Sequence, residues 1–144
     1  MTRPIPENRM HKGSCLCGTV KYEIAAPIER ITHCHCTMCR KAHGAAFGSY
    51  ATVARTAFRF TEGETMVAEY ASSPDVIRTF CRRCGATLQW SMTSRSETVG
   101  IAVGTLDTPL DPPPQQHIFA ASKADWYRIE DALPRSAQRA GPAA

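Results

Sequence analysis

Apolar and polar residues alternate with a period of two early in this chain. In residues 19–26, Val20, Tyr22 and Ile24 alternate with Thr19, Lys21 and Glu23, which predicts a half-buried strand ended by Pro27. Residues 28–32 can carry a second short strand into a cysteine-rich loop. Residues 46–53, 57–60 and 66–71 read as further strands, the last two joined by a tight turn at Thr61-Glu62-Gly63-Glu64. After another turn at Ser72-Ser73-Pro74-Asp75 come strands at 76–80, 86–91 and 98–103. A single helical turn is predicted at 38–42, with Thr37 as N-cap and Gly44 as its stop. A proline-stiffened connection containing Asp111-Pro112-Pro113-Pro114 leads to a last strand at 117–119 and a short helix or turn from Asp125 to Tyr127. Many short strands punctuated by turns predict a mainly β fold.

The seven cysteines fall in three groups, Cys15-x-Cys17, Cys34-x-Cys36-x-x-Cys39 and Cys81-x-x-Cys84. An odd number cannot pair completely, so metal ligation accounts for them better than disulfides do. Zinc at ~2.3 Å from each sulfur keeps neighbouring thiols deprotonated and mutually compatible. Joining Cys15, Cys17, Cys81 and Cys84 gives a closed four-ligand structural site and leaves Cys34, Cys36 and Cys39 as a separate three-ligand site. A competing partition makes a zinc ribbon of Cys36, Cys39, Cys81 and Cys84 and strands Cys15, Cys17 and Cys34. The first is preferred because it keeps each local cysteine loop on one metal. Gly85, directly after Cys84, suits the turn of a zinc knuckle.

With 144 residues, 43% hydrophobic and 21% charged, the composition is that of one globular domain. Residues 1–11 are expected to be a flexible N-terminus, 12–133 the zinc-binding domain and 134–144 a flexible tail. The polar start with Pro4 and Pro6 lacks a signal-peptide pattern, and no apolar run approaches the ~20 residues of a membrane span. A cytoplasmic protein without a membrane partner is expected. The formal charge of +4 is spread along the chain, with no basic stripe or docking motif, so no nucleic-acid partner is expected.

Gly13-Ser-Cys-Leu-Cys-Gly18, Cys34-His-Cys-Thr-Met-Cys-Arg40 and Phe80-Cys-Arg-Arg-Cys-Gly85, in this order, resemble the glutathione-dependent formaldehyde-activating enzyme family, often grouped with the CENP-V proteins. Gly104-Thr-Leu-Asp107, His117-Ile-Phe119 and Asp125-Trp126 are similar to that family's C-terminal half. The resemblance covers roughly residues 12–133. It implies a β-tent fold of small stacked antiparallel sheets, a structural zinc on Cys15, Cys17, Cys81 and Cys84, and a catalytic zinc on Cys34, Cys36 and Cys39. It also implies addition of the glutathione sulfur to formaldehyde, giving S-(hydroxymethyl)glutathione.

The chemistry of three thiolates agrees with a thiol substrate. Such a zinc centre carries a net charge near −1 and is a poor Lewis acid for hydrolysis, whereas a thiol is a natural fourth ligand. The expected enzyme is a zinc-dependent carbon–sulfur lyase acting on a thiol adduct of a small aldehyde, with two zinc ions per chain and a small thiol such as glutathione as partner. The alternative is a non-catalytic zinc-stabilised binding module or a thiol carrier. Arg40, Lys41, Arg82 and Arg83 form a solvated basic face or attract the carboxylates of a peptide-like thiol. His33 and His35 are expected to point away from the metal, with His35 a donor or proton carrier beside it. Phe47, Tyr50, Phe58, Phe60 and Trp90 are expected in the core, and Phe47 and Tyr50 can also wall a pocket beside the loop. Structural roles are expected for His117 and Trp126.

Overall fold

The computed structural model describes residues 10–139. Its strands are β1 (His11–Ser14), β2 (Lys21–Ile24), β3 (Ile31–Cys34), β4 (Gly48–Ala54), β5 (Phe58–Glu62), β6 (Val67–Ser73), β7 (Val76–Cys81), β8 (Thr87–Met92), β9 (Thr98–Ala102) and β10 (Gln115–Ile118). The helix α1 spans Thr37–His43. Three strands form a small sheet in the order β1-β2-β5, and seven form a larger one in the order β10-β3-β4-β9-β8-β7-β6. The pairings between these strands are antiparallel except β10 with β3, which is parallel; an isolated bridge of His117 with Arg135 is also parallel. The sheets remain open, and the fold is mainly β, as the alternation predicts.

Alternation along β2 turns Tyr22 and Ile24 onto Val53 of β4 and Val99 and Ile101 of β9, closing the small sheet over the large one. All five are buried, and burying an aliphatic side chain of this size is worth ~1.5–3 kcal/mol. Tyr22 reaches its polar end to Thr105, with the two hydroxyls 2.6 Å apart. Phe58 and Phe60, expected in the core, are half-buried and pack at the edge of this cluster. Two further apolar clusters are built around cysteines. One joins Cys15, Val20, Cys81 and Leu88, and the other joins Cys34, Cys39, Tyr50 and Ala102.

Several elements differ in detail from the sequence reading. Strand β1 was absent from it because His-Lys-Gly-Ser carries no apolar alternation; His11 is nevertheless buried, and the ring of Tyr22 occupies the space beside Gly13. The helix is capped by Cys36 rather than Thr37: its sulfur accepts from the Cys39 N–H at 3.3 Å, because the cysteine loop already holds that sulfur over the first turn. Gly44 ends the helix in the left-handed region, as expected. Asp125 and Trp126 form a turn. Of the segment read as a tail, residues 134–138 run along β10, with backbone bonds from His117 N–H to Pro134 O at 2.9 Å, Ser136 N–H to His117 O at 2.9 Å and Phe119 N–H to Gln138 O at 2.7 Å. The expectation of flexibility at 1–9 and 140–144 lies outside the described residues. Among the described residues, no helix is long and apolar enough to cross a membrane.

Candidate metal centres

Two turns of similar build bring four cysteines together. Cys15 N–H donates to Val20 O and Gly18 N–H to Cys15 O, while Cys81 N–H donates to Ala86 O and Gly85 N–H to Cys81 O. Gly18 and Gly85 each take a φ of 80°, a left-handed conformation that side-chain-bearing residues avoid. The sulfurs of Cys15, Cys17, Cys81 and Cys84 lie within 4.8 Å of one another. Cys15 to Cys17 is 3.6 Å and Cys17 to Cys81 is 3.9 Å, bracketing the ~3.8 Å expected for sulfurs placed tetrahedrally at ~2.3 Å from one ion. The hydroxyl and then the backbone N–H of Thr19 draw the Cys17 thiol down to about 6. The backbone N–H of Ala86 lowers Cys84, whereas burial raises Cys81. Backbone N–H donors aimed at sulfur favour thiolates, the form that ligates a metal.

The second group is built at the end of β3 and the start of α1. Cys34 closes the strand, Cys36 caps the helix and Cys39 lies in its first turn, so one short loop turns three sulfurs to a common point within 4.8 Å. The thiols of Cys34 and Cys39 hold Cys36 well below the usual thiol range, while the Cys36 and Cys39 thiols push Cys34 up. Three adjacent thiols thus share their protons unevenly, and only a cation allows all three to ionise together. Both groups can hold a metal ion. In space the cysteines divide four and three, and the ribbon partition does not occur because Cys36 and Cys39 share their loop with Cys34.

The three-cysteine group opens into a cavity. About 400 Å³ of space is bordered by Cys34, Cys36 and Cys39 together with Tyr50, Arg78, Trp90 and Phe119. Trp90, expected in the core, is half-buried and walls this cavity; Tyr50 does so too, as the sequence suggested. Phe47 does not, since it packs on the other side of the loop against His33, His35, His117 and Tyr127. Phe119 is the one non-glycine residue with positive φ among those described, at 54°. Its backbone thereby turns at the cavity wall directly after β10.

Burial pushes the Tyr50 hydroxyl up, so it stays protonated across the neutral range. Its oxygen lies 2.6 Å from His43 Nε2 and accepts from Arg78 Nη1 at 3.3 Å. With Arg78 donating to it, Tyr50 gives its own proton to His43, whose charged form burial disfavours.

Neither His33 nor His35 joins a cysteine group. His33 binds Ser49 Oγ and Gln115 Oε1, each at 2.8 Å. His35 is fully buried, and its Nε2 lies 2.8 Å from His117 Nδ1, while His117 Nε2 lies 2.9 Å from Asp131 Oδ2. A carboxylate only accepts, so His117 carries its proton on Nε2 and accepts at Nδ1 from His35. The chain from Asp131 to His35 braces the cysteine loop from below. His117 is therefore packed and bonded as a structural residue would be, whereas Trp126 is 72% exposed.

The basic residues singled out in the sequence are not the ones at the cavity. Arg40, Lys41, Arg82 and Arg83 do not border it; Arg78, Arg95 and Arg139 do. Arg78 escaped the sequence reading because an arginine inside a strand reads as solvent-facing. The signal that could have found it is its place between Val76 and Phe80 on one face of β7, a strand covered on both faces, since Arg78 and Thr79 are both buried.

The fold and site define an open, mainly β domain with two separate cysteine groups that could each hold a metal ion, the three-cysteine group facing a cavity. The sequence profile of the family described as glutathione-dependent formaldehyde-activating enzyme matches residues 10–122, and the chain belongs to that family. An uncharacterized lyase of Schizosaccharomyces pombe is 29% identical over 84 residues, which are 58% of this chain and 59% of that protein's length. The crystal structure of a Rhodobacter sphaeroides protein superposes with a TM-score of 0.58 at 25% identity, covering 71% of this chain and 97% of the other.

Proposed function

We propose that this protein is a zinc-dependent carbon–sulfur lyase that makes or breaks the thiol adduct of a small aldehyde, with glutathione and formaldehyde as the pair. The observation that carries the reading is the opening of Cys34, Cys36 and Cys39 into a cavity of about 400 Å³. In this reading Cys15, Cys17, Cys81 and Cys84 hold a structural zinc, and Cys34, Cys36 and Cys39 hold the second as ligands rather than nucleophiles. Zinc bound at the three cysteines would supply a positive centre that favours the thiolate form of a thiol near neutral pH.

The chain's own residues provide the rest. Tyr50, Trp90 and Phe119 exclude water from the space beside the sulfurs. Arg95 and Arg139 border the same cavity and attract the carboxylates of a peptide-like thiol. Tyr50, kept protonated by burial and bonded to His43 and Arg78, is a fixed neutral wall beside the sulfurs. Membership of the named family and the likeness to a lyase support the same chemistry.

Exchange NMR on a mixture of carbon-13-labelled formaldehyde and glutathione reads the rate of adduct formation and breakdown at equilibrium. The protein is expected to raise that rate at least about tenfold over buffer, and Cys39→Ser to return it to the buffer rate with unchanged circular dichroism. An exchange rate equal to buffer with the metal-loaded protein would reject the reaction.

A further inference from the structure

Arg78 is 7% exposed in the middle of β7, and burying a cation is costly unless something of opposite charge faces it. Its described hydrogen bonds go to no carboxylate. Nε–H donates to Ser72 Oγ at 3.1 Å, Nη1 to Tyr50 Oη at 3.3 Å and Nη2 to Cys39 Sγ at 3.7 Å. Cys39 is thus its one partner able to carry negative charge, and both residues border the cavity.

We infer that Arg78 is the positioning residue that makes the three-cysteine centre receptive to a fourth, anionic sulfur. The inference rests on the proposed metal at Cys34, Cys36 and Cys39. Three thiolates around a divalent ion leave a net charge of −1. A thiol that gives its proton to solvent and brings its sulfur to this centre raises that charge to −2, in a pocket walled largely by apolar side chains. The guanidinium, fixed by Ser72 and Tyr50, offsets one of those charges and donates to Cys39 from the cavity side. Arginine suits this place because its planar fork serves three acceptors at once and stays charged when buried. The ligand class is therefore a thiol bound as thiolate, with Arg78 acting on its sulfur.

The test uses cobalt(II)-substituted full-length protein titrated with 2-mercaptoethanol, a thiol without a carboxylate, followed by thiolate-to-cobalt absorption. Arg78→Met is expected to keep two cobalt ions per chain but to require at least about tenfold more thiol, the loss of one charge-assisted contact. Arg78→Lys should recover part of that difference. If Arg78→Met does not fold, Arg78→Gln, which retains polar contacts, replaces it. Saturation of the neutral variants at the wild-type thiol concentration would overturn the role of Arg78 while leaving the metal reading standing. A wild-type protein that holds one cobalt per chain, or shows no response to thiol, would overturn the metal reading and this inference with it.

Discussion

A cysteine becomes useful to this protein through the donors and turns around it. In the four-cysteine centre the glycines after Cys17 and Cys84 hold φ at 80°, and replacing Gly85 by alanine forces a side chain into that region. The expected cost is about 1–2 kcal/mol, read as a lowered urea midpoint, although a Cβ there meets no atom within 4 Å. The histidines make a second residue-scale prediction. His11 is buried on β1 with Nδ1 unpartnered among the described residues, and burial lowers its pKa from 6.5. As pH falls through 6.5 the unfolded chain takes up this proton before the folded one does. Stability is therefore full above that value and declines below it, by at most about 1.4 kcal/mol per pH unit for one group. Urea unfolding at pH 7 and pH 5.5 should show a smaller loss for His11→Phe than for wild type. At this scale the division of the cysteines into four and three was readable in the sequence, because their spacing brings them into local loops. Arg78 and the pairing of His35 with His117 were not, since they depend on contacts across the fold.

Elements were legible where one face is apolar. The alternation that marks β2 is the alternation that buries it, whereas β9 is a short apolar run buried at four consecutive positions; the bounds differ by only a few residues. Strand β1 was not legible, since its buried positions are His11 and Gly13. The neighbours of β10 were equally hidden. This strand lies parallel to β3 on one side and takes backbone bonds from residues 134–138 on the other, and neither partner is coded by local pattern. A chain ending at Leu133 should lose those bonds and expose the edge that carries His117. We expect a destabilisation of a few kcal/mol, at ~0.5–1.5 kcal/mol for each bond, seen as a lower melting temperature. An unchanged melting temperature would show that the segment contributes nothing to β10.

For the molecule as a whole, the proposed reading separates holding from reacting. The four-cysteine centre ties β1 and the following turn to the end of β7, in a cluster with Val20 and Leu88; a structural zinc can contribute ~10–16 kcal/mol in apparent terms, as much as a domain's whole stability. The three-cysteine centre sits on one local loop beside a cavity, so the fold should tolerate its loss. Zinc per chain, measured by native mass spectrometry on wild type, Cys39→Ser and Cys81→Ser, tests this division most directly. The account predicts two zinc ions in wild type, one in Cys39→Ser with circular dichroism unchanged, and an unfolded chain for Cys81→Ser. Two zinc ions retained in Cys39→Ser, or a Cys81→Ser protein that folds as wild type does, would contradict it.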